Sequence, residues 1–149
     1  MKLSTKGRYS IRAMIDLALH PDEGPILIRD IAKRQRISER YLEQLFIPLR
    51  VAGLVRGIQG AHGGFILIKP PAEIRLSEVI RATEGSTAPV NCVDEPRLCL
   101  QSSTCPTRYI WAKIKRAIDK VLESTTLQDL AEKQRQQSTK NYKTERNSQ

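Results

Sequence analysis

Apolar residues recur three and four positions apart along most of residues 1–50, which is the spacing of amphipathic helices packed on a common core. This spacing predicts a first helix over GRYSIRAMIDLALH, ended by the turn residues PDEGP. A short extended segment over 26–28 and a short helix over 30–35 come next. Ser38 is then placed to cap a third helix, ERYLEQLFIPLRVAG, in which Pro48 should kink or end the last turn and Gly53 marks the stop.

The pattern changes after the third helix. Two β-prone runs, Leu54–Ile58 and Phe65–Ile68, flank a glycine-rich segment, which is typical of a β-hairpin. Ser77 is placed to cap a short helix, SEVIRATEG, that Gly85 ends. The order of helix, short helix, tight turn, helix and hairpin predicts a winged helix-turn-helix.

The last third of the chain returns to helical spacing. Pro106 suits the first position of a long helix whose apolar residues step by three and four. Thr126 starts a last short helix, and the tail from residue 134 onward has no aliphatic side chain and is expected to be disordered.

These elements predict a mainly α fold with a small β-hairpin wing. A winged helix-turn-helix DNA-binding domain should span 1–85 and a cysteine-containing loop 86–105. A long helix and a short closing helix should span 106–133, followed by a basic tail over 134–149.

The net charge of +9 is unevenly distributed. Residues 1–85 hold 14 Lys and Arg against 9 Asp and Glu, residues 86–132 hold 6 of each, and residues 133–149 hold 5 against 1. A basic domain beside a neutral one suits a nucleic-acid-binding module joined to a sensing or assembly module. No apolar run is long enough for a membrane span, so we expect a cytoplasmic protein without membrane contact.

The third helix and the wing carry the candidate DNA contacts. Arg40 and Gln44 suit guanine and adenine edges, whereas Glu43 can accept a hydrogen bond from cytosine. Phosphate contacts are expected from Lys2, Lys6, Arg8 and Tyr41, and the wing glycines can approach the DNA closely. The full predicted interface is Lys2, Lys6, Arg8, Ser38, Glu39, Arg40, Tyr41, Glu43, Gln44, Gln59, Gly60 and His62.

The three cysteines, Cys92, Cys99 and Cys105, all lie in one loop-like window. Their spacing of six and then five residues is neither the C-x2-C pair of structural zinc nor a redox C-x-x-C. A single disulfide would leave one cysteine over, and the polar window does not resemble a core. Thiolates are soft ligands that suit iron–sulfur clusters, so a metal or cluster site is the favoured interpretation.

The segments MKLSTKGRYSIRAM, SERYLEQLFIPLRVAGLV, RGIQGAHGGFIL and STTLQDLA resemble the winged-helix regulator family that includes IscR, NsrR and CymR. The likeness covers residues 1–133. It implies a homodimer that binds palindromic double-stranded operator DNA, with the long helix after Pro106 forming the dimer interface. It also implies that the three cysteines hold an iron–sulfur cluster, as in IscR and NsrR, whereas CymR lacks this loop.

The chain is most similar to IscR-type members, which favours a 2Fe-2S cluster and control of iron–sulfur assembly genes; a 4Fe-4S cluster is the alternative. Two positions depart from the family pattern. Arg108 stands where IscR-type members have a histidine ligand, and Arg8 stands where NsrR-type members use an acid. Since arginine is no ligand, His20, Thr107, a carboxylate of the partner or an exogenous group remain as fourth-ligand candidates. Gln59 replaces an arginine of IscR-type wings.

Two other functions stay open at this point. One is a nitric-oxide-sensing repressor of the NsrR type, and the other is a zinc-stabilised interaction protein without an operator. An enzyme is not expected, because neither of the two histidines belongs to a constellation with a nucleophile or paired carboxylates.

Overall fold

The computed structural model describes residues 2–147. Its helices are α1 (Thr5–Leu19), α2 (Ile28–Gln35), α3 (Glu39–Val51), α4 (Leu76–Thr83), α5 (Asn91–Asp94), α6 (Pro106–Ser124) and α7 (Leu127–Asn147). Strands β1 (Val55–Ile58) and β2 (Gly64–Leu67) form one antiparallel hairpin. The mainly α architecture with a hairpin wing is the predicted one, and none of the described helices is long and apolar enough to cross a membrane.

One core unites the winged domain with the start of α7. Met14 of α1, Ile31 of α2 and Leu45 of α3 are each at most 1% exposed. Leu127 and Ala131 of α7 belong to the same cluster and are fully buried. The first turns of α7 therefore pack against the winged domain.

The predicted start of α3 is confirmed. Ser38 is the N-cap, and its hydroxyl oxygen accepts a hydrogen bond from the Tyr41 N–H at 3.1 Å. Pro48 lies inside the helix, which continues to Val51, so the proline does not end the last turn. Proline lacks a backbone N–H, and near the end of a helix this loss affects only one intrahelical bond.

The wing is attached to the helical part by a third extended segment. Ile26 pairs with Phe65 through two main-chain hydrogen bonds of 3.0 and 2.8 Å, and the Phe65 ring lies 4.6 Å from that of Phe46 in α3. Gly64 permits this pairing, because it has a φ of +143° and a Cβ there would meet the backbone of Ile26 at 2.5 Å.

The N-cap of α4 is Arg75, two residues before the predicted cap at Ser77. Leu76 is its first residue, so Ser77 lies inside the helix and is not the cap. The carboxylate of Glu78 accepts a hydrogen bond from the main-chain N–H of Arg75 at 2.8 Å, which gives the N-cap N–H of this helix a partner. A short bridge between Arg75 and Thr126 also fixes this start to the beginning of α7.

The largest departure from the sequence prediction is α7. Instead of a short helix followed by a disordered tail, one helix of 21 residues runs from Leu127 to Asn147; tail residues 148 and 149 lie outside the described residues. The capping box at Thr126 starts it as expected, since Thr126 and Asp129 bond to each other's main-chain N–H groups. No glycine or proline interrupts residues 133–147, and a helix can propagate there from its packed first turns without an apolar stripe.

Candidate nucleic-acid interface and cysteine loop

Helix α3 separates core residues from candidate DNA contacts. Its apolar side chains Leu42, Leu45, Phe46 and Leu49 are buried. The side chains predicted to read bases lie on the other face and are exposed: Glu39, Arg40, Glu43 and Gln44. An exposed polar face on the second helix of the motif is the arrangement that enters a major groove.

The first helix adds basic groups beside α3. Tyr9 of α1 packs edge-on against Tyr41 of α3 with ring centroids 6.0 Å apart, which leaves Tyr41 half-buried. Arg8 and Arg12 flank the Tyr9 ring at 5.9 and 5.2 Å. Lys2 and Lys6 precede them and are exposed. The structure therefore places part of the predicted phosphate-binding set next to the start of α3.

Arg12 was not among the predicted contacts. Its guanidinium donates to the main-chain carbonyl of Gln35 and, from Nε, to the side-chain Oε1 of Gln35 at 3.3 Å. These bonds link α1 to the end of α2. Its position four residues after Arg8, on the same helical face, is the sequence signal that could have identified it.

An ion pair between the buried carboxylate of Asp16 and the partly exposed Arg34 holds α2 against α1. Asp16 is 1% exposed, and Arg34 Nη2 lies 2.7 Å from its Oδ1 while Arg34 Nε donates to the same carboxylate at 3.1 Å. Gln35 Nε2 donates to Asp16 Oδ2 at 3.0 Å. The hydrogen bond to Asp16 raises the pKa of Arg34 above its usual value. His20 Nδ1 lies 2.8 Å from the Asp16 carbonyl oxygen, a contact that fixes the ring at the end of α1 and involves only one of its two nitrogens.

The wing tip presents its predicted residues to solvent. Gln59, Gly60 and His62 are exposed, and Gly60 has a φ of +107°. Arg56 of β1 is also exposed and is a further cation on this hairpin that the sequence prediction did not include. The hairpin thus offers polar groups and main-chain atoms at one end of the interface.

The cysteine loop lies between α4 and α6. Cys92 is in α5, Cys99 follows a 3-10 turn (Pro96–Leu98), and Cys105 occupies the N-cap position of α6. All three are free; Cys99 is exposed and the others are half-buried. Within residues 2–147, no three His, Cys, Asp or Glu side chains are grouped closely enough to hold a metal ion.

Cys105 is the cysteine whose surroundings favour a thiolate. The Thr107 hydroxyl lies 3.0 Å from its Sγ. This hydrogen bond, followed by that of the Arg108 N–H, lowers the pKa of Cys105 below its ordinary value. A thiolate at a helix start is the form that ligates metal. Three thiols in one loop therefore fit the donor chemistry of a cluster, although they are not gathered together in the single chain.

Arg108 takes a different role from a ligand. Its Nε donates to the main-chain carbonyl oxygen of Cys92 at 2.8 Å. This side chain thus ties the start of the cysteine loop to α6.

The linker before the loop is also tied down. The Thr87 hydroxyl donates to Asp119 Oδ1 on α6 at 2.5 Å, and Lys115 Nζ lies 2.5 Å from Asp119 Oδ2. Burial raises the pKa of Asp119, but the hydrogen bonds from Lys115 and Thr87 lower it more, so the net pKa lies below its ordinary value. At the other end of the linker, Glu84 accepts hydrogen bonds from the first turn of α1. No local sequence signal marks these long-range contacts.

Comparison with known proteins places this geometry in a family. Residues 3–133 match the Rrf2 family model, described as an iron-dependent transcriptional regulator. CymR of Bacillus subtilis is 44% identical over 131 residues, covering 88% of this chain and 90% of CymR. IscR of Photorhabdus laumondii is 41% identical over 134 residues, covering 90% and 81% of the two chains.

Solved structures agree with the sequence matches. The structure of B. subtilis CymR, titled the global cysteine regulator, superposes with a TM-score of 0.76 at 44% identity over 89% of this chain and 97% of CymR. That of T. potens IscR gives 0.74 at 41% identity over 89% and 88%. The chain therefore belongs to the Rrf2 family of winged-helix, DNA-binding transcriptional regulators and is not an enzyme.

Proposed function

We propose that this regulator is a cytoplasmic homodimer that binds palindromic operator DNA and changes its operator affinity or choice with the occupancy of an iron–sulfur cluster. The observation that carries the proposal is the loop in which Cys92, Cys99 and Cys105 are all free and in which the Thr107 hydroxyl and the Arg108 N–H lower the pKa of Cys105. The iron-dependent family description and the similarity to proteins named IscR support it. The genes of iron–sulfur cluster assembly are the proposed targets.

The unpartnered face of α6 supports a dimer. No residue of this helix is buried in the single chain, and Tyr109, Ile110 and Val121 are between 46% and 63% exposed. A separate groove of ≈ 470 Å³ lies between α1 and α6, with Leu3 and Ile118 in its lining. Pairing two copies through α6 buries these side chains and presents two α3 helices to half-sites about 34 Å apart.

Sequence reading is assigned to the exposed face of α3. Arg40 and Gln44 would donate to purine edges, and Glu43 would accept from a cytosine amino group. A carboxylate near phosphates is unfavourable unless it finds that donor, so Glu43 acts as the specificity element. The basic groups at the start of α1 and the wing would contact the backbone on either side.

The cluster would be held by Cys92, Cys99 and Cys105, with 2Fe-2S favoured and 4Fe-4S as the alternative. When bound, it supplies a redox-active and releasable group whose presence orders the loop. Arg108 is bonded to the Cys92 carbonyl and cannot ligate metal, so His20, Thr107, a carboxylate of the partner or an exogenous group remain the candidates for the fourth ligand. A weak fourth ligand makes the cluster easy to lose, which suits a sensor.

Iron and acid-labile sulfide in anaerobically purified protein test the cluster, beside a Cys92→Ala variant. We expect both elements in the parent and neither in the variant. Zinc without sulfide would instead support an interaction protein, and release of DNA at low doses of nitric oxide would support an NsrR-type repressor. Selection of bound duplexes from a random-sequence pool tests operator binding separately, with palindromic sites as the expected result.

A second candidate rests on Cys105 itself. Its depressed pKa and free state suit a thiol that senses oxidants directly, and relatives named CymR include one whose structure is titled an oxidised form. Protein without iron after reconstitution, whose DNA binding is lost on alkylation of Cys105, would favour this function over the cluster.

A further inference from the structure

The carboxylate of Glu84 reaches from the end of α4 to the beginning of α1. Its Oε1 accepts a hydrogen bond from the Gly7 N–H at 2.8 Å and another from the hydroxyl of Ser4, the N-cap residue of α1. The first turn of α1 contains no acidic residue. Because helix N-termini favour negative charge, Glu84 supplies from another helix the anion that this turn lacks.

The fit around this contact is close. A Cβ added at Gly7 would lie 2.5 Å from the Glu84 carboxylate oxygen, so the absence of a side chain at Gly7 makes room for it. Gly7 is buried and Glu84 is half-buried, so the bond between them is partly shielded from water, whereas Ser4 is exposed. The carboxylate therefore sets the position of the α1 start and is not a loosely held surface charge.

The α1 start carries candidate phosphate contacts. Lys2, Lys6 and Arg8 surround Ser4 in sequence and are exposed. Arg8 Nη2 donates to the Thr5 hydroxyl at 3.3 Å, so its orientation also depends on the first turn. Moving or fraying that turn would displace three cations at once.

The next residues lead directly into the cysteine loop. Gly85 turns the chain with a φ of +82°, and Thr87 is then held to Asp119 of α6. Cys92 follows and is held to Arg108 of the same helix. The segment from Glu84 to Cys92 is thus bonded to α1 through Glu84 and to α6 through Thr87 and Cys92.

We propose that Glu84 is the positioning residue that couples the cysteine loop to the DNA-contacting start of α1. A change in the loop that shifts the linker along α6 moves Glu84. When Glu84 loses its bonds to Ser4 and Gly7, the nearby cations Lys2, Lys6 and Arg8 are no longer held in position. The inference rests on the proposed function for its biological role, whereas the mechanical coupling is testable without any cluster.

The test is a double-mutant cycle in the full-length protein. Glu84→Gln removes the charge, and Thr87→Val removes the hydroxyl bonded to Asp119 while keeping the side-chain shape. Glu73→Gln is the matched control, because it makes the same charge change at an exposed position of the winged domain. The readouts are hydrogen exchange in a peptide covering residues 3–10 and affinity for one duplex selected by the parent protein.

Glu84→Gln is expected to speed hydrogen exchange in that peptide and to weaken binding to the duplex about fivefold or more. Glu73→Gln should match the parent protein in both measurements. Thr87→Val should have an effect of the same kind in the parent and little further effect in the Glu84→Gln background. Fully additive effects, or equal behaviour of Glu84→Gln and Glu73→Gln, would overturn the coupling.

The two proposals can fail separately. If the protein holds no iron, the cycle is unaffected because the loop is perturbed through Thr87. If no duplex is selected, hydrogen exchange alone decides whether Glu84 connects the linker to α1. Thermal unfolding of each variant confirms that the compared proteins are folded, and a purely structural Glu84 would lower stability without removing the effect of Thr87→Val.

Discussion

Arg108 donates a hydrogen bond from Nε to the main-chain carbonyl oxygen of Cys92 at 2.8 Å. The bond joins the first turn of α6 to the first cysteine of the loop. Arg108 thus fastens the loop and cannot bind metal, because a guanidinium only donates. The loop and the proposed dimer helix are therefore directly connected in this chain.

This role makes Arg108→His informative. An imidazole is a good metal ligand, so under the proposed function the variant should retain iron and sulfide longer than the parent. The measurement is the rate of iron loss to a chelator after reconstitution. Arg108→Gln is the control, since it removes the guanidinium without supplying a good ligand. Equal rates for the histidine and glutamine variants would count against a vacant ligand position at 108.

Gly64→Ala should destabilise the winged domain by about 2 kcal/mol or more. The φ of +143° disfavours any side chain, and the new Cβ would meet the Ile26 backbone at 2.5 Å. Gly57→Ala is the matched control, because its Cβ would make only an ordinary 3.6 Å contact with the Phe65 ring. Denaturant unfolding of both variants provides the comparison, and similar free energies of unfolding would show that the Ile26 pairing is dispensable.

Arg34→Ala should cost about 3 kcal/mol of folding free energy, because it leaves the buried carboxylate of Asp16 without its cation. Arg29→Ala removes an arginine from the same helix whose 3.9 Å ion pair with Asp30 is exposed, and it should cost less than about 1 kcal/mol. The midpoints of urea denaturation test this difference. Equal losses would mean that Gln35 alone can satisfy Asp16.

The Asp119 contacts predict a pH dependence of stability. Its pKa is lowered in the folded protein, so its contribution is present above the ordinary carboxylate pKa of about 4 and is lost as pH falls through the depressed value. Asp119→Asn should therefore lower the free energy of unfolding near neutral pH by up to about 1 kcal/mol, and the difference from the parent should shrink in acid. Asp22→Asn, at an exposed turn, should show no such trend.

Base and phosphate contacts should separate in DNA-binding assays. Arg40→Ala should cost about 1–3 kcal/mol on the selected duplex and relax discrimination at one base pair, because a bidentate base contact carries sequence information. Lys6→Ala should weaken binding to all duplexes similarly and reduce the slope of log affinity against log salt concentration by about 1. Titrations at several salt concentrations test both. If Arg40→Ala lowered the affinity equally for all duplexes, whichever base pair they carry at each position, Arg40 would be a phosphate contact.

Structural features that depend on residues close together in the sequence could be predicted. The cap at Ser38, the start of α6 at Pro106 and the hairpin between Val55 and Leu67 all follow from short-range backbone preferences. The three-cysteine window and the basic first domain were likewise visible in spacing and charge alone. These features fixed the family resemblance and the fold class.

Only the tertiary structure revealed what depends on distant pairing. Asp16 with Arg34, Thr87 with Asp119 and Glu84 with Gly7 are contacts between separate helices, and no periodicity marks them. The absence of aliphatic residues predicts disorder after residue 133, whereas the first turns of α7 are anchored in the core and the helix propagates from them. The sequence determined which local elements form; long-range packing decided which charged groups are buried and how the cysteine loop is tied to the DNA-binding domain.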